Sequence, residues 1–275
     1  MMNHLNKTIE QHYLKESLYE DILQRLSEMG KDLKNITRED IAGVDEFHVR
    51  GAAVSKELAE SIDLNNKSVL DIGCGLGGPC RMLAERYNCT TSGIDLSKEY
   101  IRTAEKLSQL VKLESKTSFF QGDATALPFE DESFDVVWTQ HVQMNVPNKQ
   151  KFYSEINRVL KPNGFFLYYD ILKNNDERVK YPMPWATSED HSFLFKNSEM
   201  NDIVTKLGLT KVFSKDQTQA GIEFFEGMLS KIKEFGPPKI GLNVLMGETT
   251  KPKLLNLLEH FKNGSLILES GVYKK

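Results

Sequence analysis

Between residues 65 and 172, short apolar stretches alternate with longer segments whose apolar residues recur at helical spacing. The short stretches are typical of buried strands and the longer ones of amphipathic helices. This alternation predicts a parallel sheet with helices on both faces. The predicted strands are 69–72, 90–94, 116–121, 134–139 and 165–171; the predicted helices are 79–87, 98–110 and 149–160, with a turn at 161–164.

Two amphipathic segments precede the first strand. Residues 8–29 carry apolar side chains at mostly helical spacing, and Gly30 supplies a stop signal. Residues 52–62 form a second helical pattern before the polar turn 63–67. We therefore predict a helical cap over 1–64, ahead of a core at 65–172.

After residue 172 the alternation breaks down. A helix at 198–207 is predicted, with strands at 209–215 and 266–273. The segments 173–197 and 220–264 fall outside the repeating unit. Because loops at the carboxyl ends of parallel strands face the ligand crevice, we expect both segments to form a lid. Packing without ligand contact is the alternative.

Composition narrows the class of protein. The 275 residues are 40% hydrophobic and 27% charged, which suits one elaborated domain over 1–275. A net charge of −4 gives no broad positive field, so nucleic acid is not an expected partner. No long apolar run or signal-peptide pattern is present, so we expect a cytoplasmic protein without membrane contact. The spacing of the three cysteines fits no zinc site, so no bound metal is expected. The sequence leaves open whether the protein forms a homodimer.

The most informative motif is the glycine-rich stretch VLDIGCGLGGP at 69–79. Glycines between a strand and its helix let the backbone turn tightly and approach a ligand lying across the strand ends. The motif fits G-x-G-x-x-G through Gly78 and G-x-G-x-G through Gly77. A nucleotide-like ligand is indicated, and a nicotinamide-dependent dehydrogenase is one alternative.

Carboxylates at three successive strand ends help to distinguish a phosphate-containing dinucleotide from a ligand with cationic groups. Asp71 lies two residues before Gly73, where a phosphate would be repelled and an ammonium or sulfonium group would be attracted. Asp95 ends the second strand, where an acid accepts ribose hydroxyls. Asp123 follows the third strand and suits an adenine amino group. Each carboxylate has a purely structural alternative as a cap or turn residue.

The series VLDIGCGLGG, GIDLS, GDATALPF, FDVVWTQHV and RVLKPNG resembles class I S-adenosylmethionine-dependent methyltransferases. The resemblance implies a Rossmann-like α/β fold whose seven-stranded, mostly parallel sheet ends in an antiparallel hairpin, here 209–215 and 266–273. It further implies S-adenosylmethionine as cofactor, with S-adenosylhomocysteine as product. The implied contacts are Asp71, Gly73, Gly75 and Gly77 for the methionine end, Asp95 and Leu96 for ribose, Asp123 and Ala124 for adenine, and Gln140 closing over the ligand.

Within this superfamily, the segments DEFHVRGAAVSKELA, WTQHVQMNVPNKQKFYSEINRVLKPNG and YPMPWA resemble bacterial enzymes of the sarcosine/dimethylglycine and phosphoethanolamine N-methylating type. Phosphoethanolamine enzymes carry a catalytic histidine where this chain has Asn145. Their base is therefore absent here, and Asn145 is predicted as a substrate contact.

Methyl transfer needs an aligned acceptor in a dry pocket, and a histidine suits removal of the acceptor's proton. His141, directly after the fourth strand, is the first candidate for the base or for a substrate ligand. His48 is the second candidate and is predicted to bind substrate. Packed, uncatalytic histidines are the alternative for both. We expect His4, His12 and His260 to occupy solvated helical positions.

Tyr181 and Trp185 flank a Pro-Met-Pro segment that would fix their rings at the crevice. Aromatic faces attract ammonium groups, although such rings are often only packing anchors. We therefore predict methyl transfer to a small molecule, with an amine or amino-acid nitrogen ahead of carbon or oxygen in a quinone, phenol or other natural product. A non-catalytic S-adenosylmethionine-binding protein is the alternative from another class.

Overall fold

The computed structural model describes residues 17–275, except for the side chains of residues 242, 243 and 248. Its strands are β1 (Ser68–Ile72), β2 (Thr90–Asp95), β3 (Thr117–Gln121), β4 (Phe134–Gln140), β5 (Leu160–Lys173), β6 (Thr210–Asp216) and β7 (Leu266–Lys274). Its helices are α1 (Leu18–Glu28), α2 (Arg38–Asp45), α3 (Ala52–Ala59), α4 (Gly78–Tyr87), α5 (Lys98–Leu110), α6 (Lys149–Val159), α7 (Asn197–Lys206), α8 (Thr218–Phe235), α9 (Leu242–Met246) and α10 (Thr250–Lys262).

The seven strands form one sheet in the order β3-β2-β1-β4-β5-β7-β6. The pairs β1–β2, β2–β3, β1–β4 and β4–β5 are parallel, whereas β7 runs antiparallel to both β5 and β6. The predicted fold class, a mostly parallel sheet closed by an antiparallel hairpin, is confirmed. The strand order reverses at β1, and ligands of open α/β sheets bind at such a reversal.

Alternating side chains of the central strands build a core on each face of the sheet. Val69, Trp138 and Leu167 pack beneath α3, α4, α8 and α10. Leu70 and Val137, one residue along, face the opposite core under α6 and α7. These strands are buried on both sides, which explains their nearly continuous apolar sequence.

The N-terminal cap differs from its prediction. Two helices were expected before β1, and residues 17–67 contain three, because the polar-looking stretch Arg38–Asp45 is also helical. Thr37 and Asp40 form a capping box at its start. Gly30, at φ +77°, follows α1 as predicted, while the apolar residues expected at 9 and 13 lie outside the described residues.

Two further expectations at single sites are wrong. The turn predicted at 161–164 lies within β5, with Asn163 in the left-handed region at φ +63°. His260 is only 4% exposed: its Nδ1 lies 2.5 Å from the Ser265 hydroxyl, and its Nε2 accepts from the Lys180 amide at 2.9 Å. The loop that covers this helix therefore removes His260 from water. His4 and His12 lie outside the described residues.

The segment 220–264 packs against β7 and the N-terminal cap, and its role as a lid stays a prediction. Gly221 packs closely against Leu268 of β7 and Val49 of the cap, and the Ile240 carbonyl lies against Gly43 of α2. Burial of apolar side chains on β7 and the cap holds this segment beside the sheet. Within residues 17–275, no helix is long and apolar enough to cross a bilayer.

Candidate functional site

A cavity of about 330 Å³ opens at the carboxyl ends of β1, β2 and β4. This volume falls within the usual range for small-molecule sites. Most of the residues predicted to bind cofactor or substrate line it. Those lining residues are Asp71, Gly73, Gly75, Asp95, Leu96, Asp123, Ala124, Gln140, His141, His48, Asn145 and Trp185.

The glycine loop between β1 and α4 bounds one wall of the cavity. Gly73 and Gly75 have φ of +71° and +53°, a region that favours glycine. A Cβ at Gly75 would meet nothing within 4 Å, so its backbone lies open to the cavity. Gly77 does not line the cavity: it precedes α4 at φ +80°, and a Cβ there would meet the Phe119 ring at 2.5 Å. Gly77 therefore allows close packing of Phe119, and its predicted ligand contact stays a prediction.

Asp71 lies at the floor of the cavity and is 2% exposed. Its Oδ2 accepts a weak hydrogen bond from the Cys80 thiol at 3.6 Å, and no cation of residues 17–275 pairs with it. Burial, with nearby Glu46 and Asp95, raises the pKa of Asp71 well above its usual range. A bound cation would favour the ionised carboxylate in this position.

Asp95 at the end of β2 is fixed by two backbone amides. Its Oδ2 accepts from Gly75 N at 3.0 Å, and its Oδ1 accepts from Ser97 N at 2.9 Å. The helix cap is Ser97, whose hydroxyl accepts from Tyr100 N at 3.2 Å. These contacts hold the Asp95 carboxylate in the cavity wall.

Asp123 shows the turn geometry proposed as its structural alternative. Its Oδ1 accepts from the amide and the hydroxyl of Thr125 at 2.8 and 2.7 Å. Asp123, Ala124 and Thr125 nevertheless all line the cavity. The turn thus presents backbone and side-chain polar groups at this end of the site, and a structural role does not compete with binding.

A buried polar network links Gln140 to the cap. Trp138 Nε1 donates to Gln140 Oε1 at 2.8 Å, and Gln140 Nε2 donates to the Ser55 hydroxyl at 3.1 Å. The Ser55 hydroxyl also lies 2.8 Å from Glu46 Oε2 and 3.2 Å from His48 Nε2. Segments that are distant in sequence therefore meet behind one wall of the cavity.

His141 follows β4 in the left-handed region, at φ +55°. Its ring stacks on Tyr169 with centroids 5.1 Å apart and meets His48 edge-on at 5.9 Å. Its Nε2 is buried without a hydrogen-bond partner among the described residues. Burial and the neighbouring His48 hold the pKa of His141 well below its usual value, so the ring is neutral.

The insertion 173–197 contributes one aromatic ring to the cavity. Trp185 is 4% exposed, lines the cavity, and donates from Nε1 to the Ser192 hydroxyl at 2.9 Å. Tyr181 does not line it and instead borders a separate depression with residues 178–180 and 187–189. The predicted aromatic pair is thus corrected to Trp185, because the chain turns between the two rings.

The wall of the cavity is acidic. The described residues lining it include four aspartates, Asp45, Asp71, Asp95 and Asp123, and neither lysine nor arginine. Such a wall favours a ligand with cationic groups and disfavours a pyrophosphate. Within residues 17–275, no cluster of three or more His, Cys, Asp or Glu is placed to hold a metal ion.

Sequence reasoning missed Asp45 and Glu46, which stand immediately before the noted Phe47 and His48. Both carboxyls are buried, and the Asp45 carboxylate pairs with fully buried Arg81 at 2.6 Å. Ser55 was also missed, because the residues around it in the sequence do not show that its hydroxyl is buried. Adjacent acids in a short segment resemble solvated surface, and only their partners, Arg81 on α4 and Ser55 on α3, reveal their burial.

Comparisons with known proteins agree with this geometry. Residues 70–168 match the family model described as a methyltransferase domain. Over 170 residues the chain is 33% identical to the sterol 24-C-methyltransferase of Debaryomyces hansenii, covering 60% of this chain and 42% of that one. The chain thus spans less than half the length of this curated relative.

Two solved structures share the fold. Phosphoethanolamine N-methyltransferase 2 from Haemonchus contortus, solved with S-adenosylmethionine, has a TM-score of 0.75 at 16% identity, covering 100% of this chain and 60% of that one. A protein assigned as a sarcosine dimethylglycine methyltransferase from Galdieria sulphuraria has a TM-score of 0.65 at 17% identity, with 93% and 98% covered. At these identities the two structures show a shared fold, and residues 70–168 of this chain are similar to a methyltransferase domain.

Proposed function

We propose that this chain transfers a methyl group from S-adenosylmethionine to a small, uncharged and mainly apolar acceptor. The observation that carries the proposal is the cavity wall with Asp71, Asp95 and Asp123 and neither lysine nor arginine among its described residues; a fourth lining aspartate, Asp45, is paired with Arg81 behind the wall. Bound S-adenosylmethionine supplies a sulfonium methyl group that a nucleophile attacks directly. Its sulfonium and ammonium groups match this acidic wall, whereas the pyrophosphate of a nicotinamide dinucleotide does not.

The residues of the glycine loop fit such a cofactor. Asp71 would pair with the ammonium group, and the open backbone at Gly73 and Gly75 would receive the methionine end. Asp95 and Leu96 would hold the ribose, since two backbone amides fix the Asp95 carboxylate at the cavity wall. Asp123 and Ala124 would hold the adenine, and Gln140 would cover the ligand from the β4 side.

The acceptor end of the cavity supports transfer to carbon or oxygen. Its wall includes Phe47, Val142, Met144, Val146 and Trp185, together with the neutral imidazoles already described. No described lysine or arginine faces the cavity to pair with an acceptor carboxylate, which speaks against an amino acid. The sterol 24-C-methyltransferase similarity also favours an apolar acceptor.

An amine nitrogen is the second candidate, favoured by the Trp185 ring in the wall. It has weaker support than the sequence suggested, because Tyr181 lies outside the cavity. The likeness to the sarcosine-type structure concerns the fold alone at 17% identity. A non-catalytic S-adenosylmethionine-binding protein would share the cofactor wall but turn over no acceptor.

Calorimetry and a product assay test this function. We expect S-adenosylmethionine to bind and NADH not to bind. We expect Asp95→Ala to weaken S-adenosylmethionine by about 2 to 3 kcal/mol, as for hydrogen bonds to a charged group. Mass detection after incubation with sterols, phenols, quinones and amines identifies the acceptor. NADH binding would overturn the cofactor assignment, and cofactor binding without any methylated product would favour the non-catalytic alternative.

A further inference from the structure

We propose that His48 accepts the proton that the acceptor loses and that Glu46, behind it, stabilises the charged ring. The inference rests on the proposed function. The two residues lie on the segment between α2 and α3, His48 on the cavity wall and Glu46 buried behind it. His48 Nε2 lies 3.2 Å from Glu46 Oε2.

The neighbours of His48 Nε2 favour one tautomer. The Gly51 carbonyl oxygen at 3.1 Å and Glu46 Oε2 at 3.2 Å both accept, whereas the Gln140 amide nitrogen at 3.2 Å donates, so two acceptors against one donor favour the hydrogen on Nε2. This leaves the lone pair on Nδ1. That nitrogen makes no hydrogen bond within residues 17–275 and, unlike Nε2 of His141, is not sealed in the interior. An acceptor in the cavity therefore finds a proton-accepting nitrogen on this ring.

Glu46 is placed to stabilise the charged form of the His48 ring. Its Oε2 accepts from the Ser55 hydroxyl at 2.8 Å, and its Oε1 is buried without a partner among the described residues. A base oriented by a buried carboxylate is the arrangement that stabilises a transient imidazolium. His141 has no such support within residues 17–275, since its Nε2 has no partner there and its ring adjoins another imidazole. The structure thus favours His48 over His141, reversing the order predicted from sequence.

The transfer balances for an acceptor O–H or N–H group. The acceptor's lone pair forms the new bond to the methyl carbon, while the carbon–sulfur bond breaks and its electrons stay on sulfur. The acceptor's proton moves to His48 Nδ1, and the resulting imidazolium keeps its Nε2 hydrogen beside the Glu46 carboxylate. The products are the methylated acceptor, S-adenosylhomocysteine and an imidazolium–carboxylate pair, and Nδ1 later releases its proton to solvent, which restores the neutral ring with its hydrogen on Nε2.

Burial gives this pair a defined pH response. It raises the pKa of Glu46 to about 7 and lowers the pKa of His48 to about 4, so the ring stays neutral and able to accept. Glu46 ionises as the pH rises through about 7, so turnover should rise over that range. The groups facing the pair are Asp45, Asp71, Arg38 and Arg81 around Glu46, with Ser55, Gln140, His141 and Tyr169 around His48.

The kinetic test compares Glu46→Gln with wild type, using the acceptor found in the product assay. The amide keeps the size of the side chain and an oxygen for His48. We expect kcat to fall about 100-fold at pH 8, the scale of a lost general base. KM and S-adenosylmethionine affinity should be unchanged. The difference should shrink below pH 7, where wild-type Glu46 is protonated. Glu57→Gln on α3, outside the cavity wall, should keep wild-type kcat.

A spectroscopic test does not need the acceptor. In protein labelled with ¹⁵N-histidine, with or without S-adenosylmethionine, we expect His48 to carry its hydrogen on Nε2. Its resonance should move with a midpoint near pH 7 in wild type, where Glu46 ionises, and not in Glu46→Gln. A hydrogen on Nδ1, or an unchanged kcat in a folded Glu46→Gln variant that binds cofactor, would overturn the roles proposed for His48 and Glu46. Neither result would contradict the proposed function. Cofactor binding by wild type without methylation of any acceptor would contradict the proposed function and the proton-accepting role together.

Discussion

At the residue scale, the protonation of Asp71 should make the affinity for S-adenosylmethionine depend on pH. Its carboxyl is buried with only a thiol as partner within residues 17–275, and its pKa is raised well above the usual range. If the ionised form binds a ligand ammonium, S-adenosylmethionine affinity should rise as the pH rises through that pKa. Asp71→Asn should lose this pH dependence and bind about 10- to 100-fold more weakly at pH 8. Calorimetry at a series of pH values up to 8 measures both effects.

The raised pKa of Asp71 should also make the stability of the unliganded protein depend on pH. A carboxyl with a raised pKa binds more protons when folded than when unfolded, so its contribution to stability falls as the pH rises between the two values. Relative to Asp71→Asn, the free energy of unfolding of wild type should therefore decline over that interval. Asp63→Asn, in an exposed turn, serves as the control. Parallel pH profiles for all three proteins would contradict the raised pKa.

At the element scale, the insertion 173–197 is bonded to the loop after β4. Phe193 N donates to the Met144 carbonyl at 2.7 Å, and Lys149 Nζ donates to the Phe193 and Gln143 carbonyls at 2.6 Å each. The insertion also carries Trp185, whose ring lines the cavity. Trp185→Ala should lower kcat/KM at least about tenfold, because loss of the ring loosens the aligned geometry. S-adenosylmethionine affinity should not change.

Tyr181→Ala is the matched control on the same insertion, since Tyr181 lies outside the cavity. It should leave both kcat/KM and cofactor affinity near wild type. Steady-state kinetics beside cofactor titration separates the two variants. Parallel loss of cofactor binding and turnover in Trp185→Ala would show that this ring supports the nucleotide site or the fold instead.

At the scale of the whole molecule, a buried ion pair joins the cap to the core. Arg81 of α4 and Asp45 of α2 are completely buried side chains, and their closest atoms are 2.6 Å apart. Arg81 also donates to the Leu76 and Ala104 carbonyls at 2.6 and 3.2 Å. Arg81→Met should lower the free energy of unfolding by about 3 to 5 kcal/mol, because it leaves a buried carboxylate unpaired. Urea unfolding measures the loss.

The double variant Asp45→Asn, Arg81→Met removes both charges and should recover part of that loss. Arg38→Met, whose partner Glu85 is half-exposed, should cost less than Arg81→Met. Equal destabilisation by the single and double variants would mean that packing, and not the unpaired charge, dominates at this junction.

The sequence alone determined the elements whose signals are local. Short apolar runs and flanking turns located β1 to β4, and a parallel sheet brings their carboxyl ends to one edge, so Asp71, Asp95 and Asp123 were predicted together. Gly73 and Gly75 followed from the need for a left-handed backbone beside a ligand. These features depend on neighbours in the chain and on a topology that restricts the alternatives.

Tertiary structure decided what depends on contacts between distant segments. Glu46, Ser55 and Gln140 become one network only when α3 packs beside β4, and no spacing rule relates them. His260 resembled a solvated helical residue until the loop at Lys180 covered it. Tyr181 and Trp185 share one short segment, yet only the folded path places Trp185 in the cavity and Tyr181 outside it. Burial of a polar group is a property of its packing partners, which the local pattern does not contain.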